Sequence, residues 1–436
     1  MGDYGDESKL GVAIFGPAFM KIFVVASFAP SLLRFRGELL RTLVADGHSV
    51  VAVAPEADEG VLSQLRRLRV AFLPIPLDRS GFGPFSDLKY VIKLRGAISK
   101  ELPDIVFAYT HKPVIYTALA AFAVRRRPRV FSLITGLGFA FVEGGGWKQR
   151  SARFFLEFLY RQAMRRISGV IFQNPDDREL FNKAGFIRTV TPQIVVRGSG
   201  VDLQYFPFVP VELGGMLSAE AARGGDDAAA SGFMPQVGRV RFLLIARLLI
   251  DKGIREYEAA ARVIKREYPL SEFYLVGPRD PNPAAISDRE VARWRDEDIL
   301  QYVGETDDVR AMLRSCAVYV LPSLYREGTP RSVLEAMATG RAVITTDAPG
   351  CRETIFGAAP QDATHLREGI NGFLVPLKDV GALIAAMRRF LDDPLLASRM
   401  GAEGRRLAEA HYDVHKVNRQ ILEFMGLSGG TINAER

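Results

Sequence analysis

Only two cysteines occur in 436 residues, Cys316 and Cys351. They form no disulfide framework and no metal-type spacing, which points to a reducing compartment. No carboxylate cluster has ligand spacing either, so nothing in the pattern argues for a metal. Long apolar runs are also scarce. The stretch "LGVAIFGPAFMKIFVVASFAP" comes nearest, but Gly16 and Pro17 break it and Lys21 interrupts it. Asp3, Asp6 and Glu7 precede it, opposite in charge to the start of a signal peptide, so any membrane contact is expected to be peripheral. After the first apolar run stands "FAPSLLRF", where a dinucleotide oxidoreductase would carry G-x-G-x-x-G. A later "TGLGFAF", with Gly136 and Gly138, lacks the third glycine. There is no short-period repeat, helix-turn-helix, zinc-ligand spacing or aromatic RNA-binding motif, so no nucleic-acid partner is expected.

What is present is a rhythm. With 48% hydrophobic and 25% charged residues, the chain is globular and long enough for two cores. From Met20 the apolar runs "KIFVVAS", "SVVAVAP", "VAFLPIP", "DIVFAY", "RVFSLIT" and "GVIFQN" alternate with longer amphipathic stretches. The pattern predicts βαβ units and a parallel sheet. It restarts with "VRFLLIA", "EFYLVG", "ILQYVG", "AVYVLPS" and "RAVITTD". Between the two sets lies an Ala-, Gly- and acid-rich segment unable to build a core. The expected fold class is α/β, two doubly wound Rossmann-like domains facing a cleft. The expected divisions are an extension at 1–19, a first domain at 20–206, a linker or insertion at 207–237 and a second domain at 238–400. A helix at 401–426 would pack back on the first domain, ahead of a tail at 427–436. Charge is uneven: residues 20–205 carry a net +12, leaving −5 for the rest of a chain whose total is +7. One half therefore faces something anionic or presents a solvated basic surface.

In doubly wound sheets ligands bind beyond the carboxyl ends of strands. "IARLLIDKGI" puts Arg247 and Lys252 there, two cations suited to a diphosphate, or else a surface ion pair and a solvated lysine. "YREGTPRSVLEAMATG" follows another strand. Pro330 at the first helical position would leave the amides of Arg331, Ser332 and Val333 free at a positive helix end. Glu327 and Glu335 flank that end, placed to accept hydrogen bonds from the hydroxyls of two sugar rings around a diphosphate. The plainer reading leaves Glu327 solvated and Glu335 simply favouring the helix dipole.

Taken together, "ARLLIDKG", "LPSLYREGTPRSVLEAMATGRAVITTDAPGCRE" and "GINGFLVP" resemble the retaining glycosyltransferases of family 4, with the GT-B fold, from Met20 to about Met425. The resemblance implies that Glu327 contacts a donor sugar and Glu335 the ribose, with Gly328 and Thr329 in the same donor loop. Arg247 and Lys252 would neutralise the departing diphosphate, and main chain near Val303 and Gly304 would meet the base. It implies no cofactor and no catalytic metal, the nucleotide sugar being a substrate. "YTHKPVIYTALAA", "SLITGLGFAF" and "VIFQNPDDRELF" look most like the branch that extends sugars on polyprenyl diphosphate. His111 matches a first-domain histidine placed against the donor sugar in several members; a structural or solvent-facing role is the alternative.

For the acceptor, Arg34 and Arg36 would serve phosphates or form a plain surface pair. "WKQRSARFFLEFLYRQAMRRI", with Arg150 and Arg153, reads as a basic amphipathic helix able to rest on anionic lipid, or as a core-packing helix with a solvated face. Phe82 and Phe85 in "DRSGFGPFSD" would dip into headgroups. The expected protein is a cytoplasmic hexosyltransferase, peripheral on the inner face of the membrane, moving sugar from a nucleotide donor, UDP rather than GDP, to a lipid-linked glycan. A GT-B phosphorylase or sugar-nucleotide epimerase is the enzymatic rival. A nucleic-acid binder using the basic half is the non-enzymatic one.

Overall fold

The computed structural model describes residues 19–78, 83–136, 147–211, 240–282, 284–358, 366–393 and 395–427, the side chains of 84 and 147–153 excepted. Most of the expected N-terminal extension, the 207–237 linker and the tail lie outside the described residues, as do Phe82, Gly138 and the side chains of Arg150 and Arg153.

The first sheet is wholly parallel, in the order β3-β2-β1-β4-β5-β6-β7. Its strands are β1 (Lys21–Val25), β2 (Ser49–Ala54), β3 (Ala71–Pro74), β4 (Ile105–Tyr109), β5 (Arg129–Ile134), β6 (Gly169–Phe172) and β7 (Gln193–Val195). The second sheet runs β10-β9-β8-β11-β12-β14-β13, with only β13 antiparallel. It comprises β8 (Arg241–Ile245), β9 (Glu272–Val276), β10 (Gln301–Gly304), β11 (Val318–Leu321), β12 (Ala342–Thr346), β13 (Arg367–Gly369) and β14 (Gly372–Val375). Helices cover both faces of the first sheet, so β1 and β4 bury residues on both sides and read as unbroken apolar runs. The expected α/β class with two doubly wound sheets is what the chain forms.

Strand order reverses between β1 and β4 in one sheet and between β8 and β11 in the other. At such switch points the flanking connections leave on opposite faces and open a crevice. The two domains meet beside the second crevice, where the loop at residues 326–329 packs directly on residues beyond β6 of the first.

The chain then crosses back. Helix Leu396–Leu407, a π-turn at Ala408–Tyr412 and helix Val414–Met425 follow one another. Val417, Ile421, Leu422 and Met425 join the core beneath β1 and β4, and Phe424 meets Phe131 edge-on at 5.8 Å. Burying each such side chain contributes about 1.5–3 kcal/mol, so this helix fastens the second domain to the first. Two backbone hydrogen bonds, Val201 N to Tyr412 O (2.7 Å) and Val414 N to Val201 O (3.1 Å), fix the crossing. Among the described residues, no helix is long and apolar enough to cross a membrane.

Candidate active site

The site is centred on a carboxylate and an ammonium at the second switch point. Lys252 ends a single 3-10 turn (Ile250–Lys252) beyond β8, and Glu327 lies in the loop beyond β11. Lys252 Nζ pairs with Glu327 Oε1, which also accepts a 3.0 Å hydrogen bond from Ser323 Oγ. Lys252 Nζ sits 5.1 Å from the centre of the Tyr325 ring. The two charged side chains are only 16% and 13% exposed, so their attraction is weakly screened. Arg247 is half exposed and bonds Asp280 at 2.9 Å. Burial, with Glu327 adding and Arg247 opposing, pushes the Tyr325 hydroxyl up to about 12.

Helix Arg331–Thr339 starts one residue later than expected, with Pro330 as its extended cap. The amides of both Val333 and Leu334 bond the Pro330 carbonyl, at 3.1 and 3.3 Å. The Val333 amide is therefore not free, a correction that follows from the tight first turn. Among the described residues nothing accepts from the amides of Arg331 and Ser332, the N–H groups left over at any helix start. Ser332 Oγ lies 2.6 Å from the Tyr319 hydroxyl, and Glu335 accepts from Arg331 Nε at 2.8 Å. Burial raises the Glu335 carboxyl, and Arg331 opposes the rise. Across the sheet, the register between β9 and β10 shifts at Val303, on the outer edge strand. A bulged residue leaves the ladder, so its peptide can pair with the edge of a planar ligand. The carbonyl of Gly304, by contrast, accepts from Gly277 N at 2.9 Å.

From the first domain, His111 opens the helix His111–Phe122 just beyond β4. Its Nδ1 lies 2.7 Å from the Tyr160 hydroxyl, and burial lowers the imidazole pKa to about 4. The ring is therefore neutral near pH 7, and in the tautomer where Tyr160 donates to Nδ1 the proton sits on Nε2. The preceding Thr110 holds φ at 69° and donates to Ser27 Oγ at 3.0 Å, tying the ends of β4 and β1.

Arg34 is exposed and reaches Asp307 of the second domain at 3.1 Å. Arg36 is not the surface residue expected. It is 1% exposed, its guanidinium lies 5.2 Å from the centre of the Tyr109 ring, and burial lowers its pKa to about 10. A guanidinium, more weakly hydrated than an ammonium, is the cation better suited to burial beside an aromatic ring. Phe85 is 90% exposed.

Gly328 and Thr329 face the first domain rather than open space. Thr329 Oγ1 donates to Gln173 O at 3.0 Å, and Gly328 packs on the Gln173 side chain. The Asn174 side-chain amide lies 3.0 Å from the carbonyls of both Glu327 and Gly328. Arg326 pairs with the buried Asp177 at 3.2 Å, and Arg352 with Asp176 at 3.1 Å. Burial raises the Asp177 carboxyl to about 6, with Asn174 and Arg326 holding it lower than burial alone would. Gly136, at φ 95°, lies so close that a Cβ would stand 2.7 Å from Arg326 O. Asn174, Asp176, Asp177, Arg326, Arg352 and Gly136 were not among those expected in the site. The available signal was the Asn-Pro helix start in "QNPDD" and the glycine after β5.

The sequence and the fold both have relatives. Residues 34–196 match the family described as Glycosyl transferase 4-like domain, and residues 239–393 that described as Glycosyl transferases group 1. An N,N'-diacetylbacillosaminyl-diphospho-undecaprenol alpha-1,3-N-acetylgalactosaminyltransferase of Campylobacter jejuni is 29% identical over 342 residues, 78% of this chain and 84% of that one. A UDP-Gal:alpha-D-GlcNAc-diphosphoundecaprenol alpha-1,3-galactosyltransferase of Escherichia coli is 26% identical over 315 residues, 71% and 72% of the two chains. In fold, the HepE protein of Anabaena, solved in complex with UDP and glucose, has a TM-score of 0.68 at 18% identity, covering 93% of this chain and 99% of that one.

Proposed function

This chain belongs to the GT-B glycosyltransferases of the 4-like and group 1 families and is a hexosyltransferase, and we propose that it carries sugar from a UDP-sugar to a polyprenyl-diphosphate-linked glycan with retention at the anomeric carbon. The reaction serves cell-surface polysaccharide or glycan assembly. The observation that carries the donor side is the Lys252–Glu327 pair at the second switch point, next to the free helix amides of Arg331 and Ser332.

Chemically, the barrier lies in charge building on the leaving diphosphate. Lys252 has two N–H donors left after Glu327 takes one, and together with Arg247 and the helix end it meets that charge with fixed positive dipoles. Glu327 accepts hydroxyl protons of the sugar and orients it, while Glu335 does the same for the ribose. His111, neutral and anchored by Tyr160, offers Nε2–H to the sugar from the opposite wall. The base pairs with the main chain of Val303 at the bulged edge. In this scheme electrostatics from side chains and helix amides suffice, with no cofactor or metal.

The acceptor side is supported by a cavity of about 550 Å³ beyond the ends of β1 to β3, lined by Ser27, Phe28, Glu56, Lys89 and Lys93. The same helix, Pro84–Glu101, turns Phe85, Leu88 and Ile92 to solvent at 90%, 58% and 59% exposure. Their spacing of three and four residues lines them up on one helix face, about 100° from the two lysines. A face of this kind rests in an anionic bilayer while the lysines meet phosphate, at the inner face of the cytoplasmic membrane.

The test incubates purified protein with polyprenyl-diphosphate-linked acceptors and labelled UDP- and GDP-sugars, counting label in the organic phase. Transfer from one UDP-sugar is the expected result. UDP binding without transfer to any lipid-linked acceptor would sink the acceptor assignment.

A further inference from the structure

The loop that carries Glu327 is held from the first domain as well as its own. Its peptide groups at Glu327 and Gly328 lie between two glycines. Gly136, beyond β5, meets it from the first domain, and Gly350, beyond β12, backs it from the second at φ 84°. A side chain at either position would overlap the loop backbone. The first-domain helix Pro175–Lys183 points its start at the same loop. Its cap, Asn174, is fully buried and divides its side chain between two tasks. Oδ1 accepts from Asp177 N at 2.7 Å, capping the helix, while Nδ2 reaches the carbonyls of Glu327 and Gly328 at 3.0 Å each. Asp177 receives Nδ2 at 3.0 Å and Arg326 at 3.2 Å, which fixes the plane of the amide.

We infer that Asn174 is a positioning residue for transfer: its amide, oriented by Asp177 and Arg326, sets the Glu327 carboxylate against the donor sugar only when the two domains are closed. This rests on the donor-site reading of Glu327. The Glu327 carboxylate is held by Lys252 and Ser323, both of the second domain, while its carbonyl accepts a hydrogen bond from Asn174 of the first. An open cleft would keep the former and lose the latter. Correct aim of the sugar-binding carboxylate thus becomes conditional on closure, which keeps an unclosed donor from reacting with water. Asp176 with Arg352 repeats the clasp one residue along the same helix and keeps the two domains in register.

The experiment uses Asn174→Ser in the full chain. Serine caps a helix as well as asparagine does but is too short to reach the two carbonyls. Misplacement of a reacting group by about 1 Å costs on the order of 10²-fold in rate, so kcat for label transfer should fall about 10- to 100-fold. The donor KM and UDP affinity, set within the second domain, should stay near wild type. Arg326→Gln, altered from the other side, should show the same split, Arg326→Lys should recover most of the loss, and the Asn174→Ser/Arg326→Gln pair should cost less than the two losses multiplied. A wild-type kcat in Asn174→Ser and Arg326→Gln, whatever their melting temperatures, would overturn the inference. So would a loss in KM and kcat alike that Arg326→Lys leaves unrescued. If the wild-type protein neither binds UDP nor transfers from any donor, the donor-site reading falls and this inference with it.

Discussion

The Lys252–Glu327 pair allows a prediction in which stability and activity move in opposite directions. Lys252→Met removes the cation and leaves a carboxylate, 13% exposed, with Ser323 Oγ as its other partner. Glu327→Gln leaves the ammonium over the Tyr325 ring with a neutral amide for company. Breaking a fully buried pair costs about 3–5 kcal/mol, and the residual exposure here reduces that to about 1–3 kcal/mol for each single change. The double variant carries no unpaired charge, so it should recover to within about 1 kcal/mol of wild type. Activity should not recover. Loss of a fixed charge aimed at the leaving group costs on the order of 10²–10³ in kcat, about 3–4 kcal/mol, and the double variant keeps neither charge. Denaturant unfolding and label transfer on the four proteins of the cycle measure both. Additive destabilisation would refute the coupling drawn from the geometry. Transfer by Lys252→Met within about threefold of wild type would refute the diphosphate role, since a binding contact of that kind cannot be lost so cheaply.

Three further outcomes are expected. The His111 imidazole is held well below its ordinary value, to about 4, so its contribution to stability is present above about 6.5 and lost as pH falls toward about 4. That acid loss should be missing in His111→Gln, as read from melting temperature between pH 7 and 4; an identical slope would contradict the burial of the ring. Glu353 is pushed up to about 8, first by burial and then by the Asp176 carboxylate across the domain boundary. The folded state therefore holds a proton that the unfolded chain releases near 4.5. This stabilisation declines as pH rises and is gone above about 8, so the melting temperature should fall from pH 6 to 9 in wild type and hold steadier in Glu353→Gln. Finally, changing Phe85, Leu88 and Ile92 together to Ser should leave the fold intact, because all three are exposed. It should weaken sedimentation with anionic vesicles at least about tenfold, since each apolar side chain contributes on the order of 1 kcal/mol or more. Unchanged vesicle binding would move the membrane face elsewhere.

Most of the architecture was legible because parallel strands buried on both faces leave continuous apolar runs, and eleven such runs are strands. Three strands, β7, β13 and β14, escaped that pattern. β7 is "QIV", three residues with no fully buried position. β13 and β14 form a hairpin around Ile370 and Asn371, flanked by Gly369 and Gly372, and glycines at strand ends read as loop. Asn371 makes that turn structural: its side chain donates to Thr354 O at 2.8 Å and accepts from Phe356 N at 3.0 Å.

The candidate site divides along the same physical line. Glu327, Lys252 and Arg247 could be named as candidates because residues just beyond strand ends converge in any doubly wound sheet, and His111 only through the family resemblance. Arg36 was misread because sequence does not reveal which way a loop arginine turns, and here it turns onto Tyr109. Asn174 was invisible for a different reason. Its acceptors lie 153 and 154 residues away, and no periodicity or spacing reports a contact of that range. What the sequence does carry is a remainder. An asparagine before Pro175 reads as a helix cap, and capping uses only the side-chain oxygen. A buried cap must also satisfy two N–H donors, which a serine or aspartate at the same position would not possess. Asp177, on the same helix, takes one of the two, so the asparagine needs a further acceptor beyond the helix, and in this fold the carbonyls of Glu327 and Gly328 share that hydrogen.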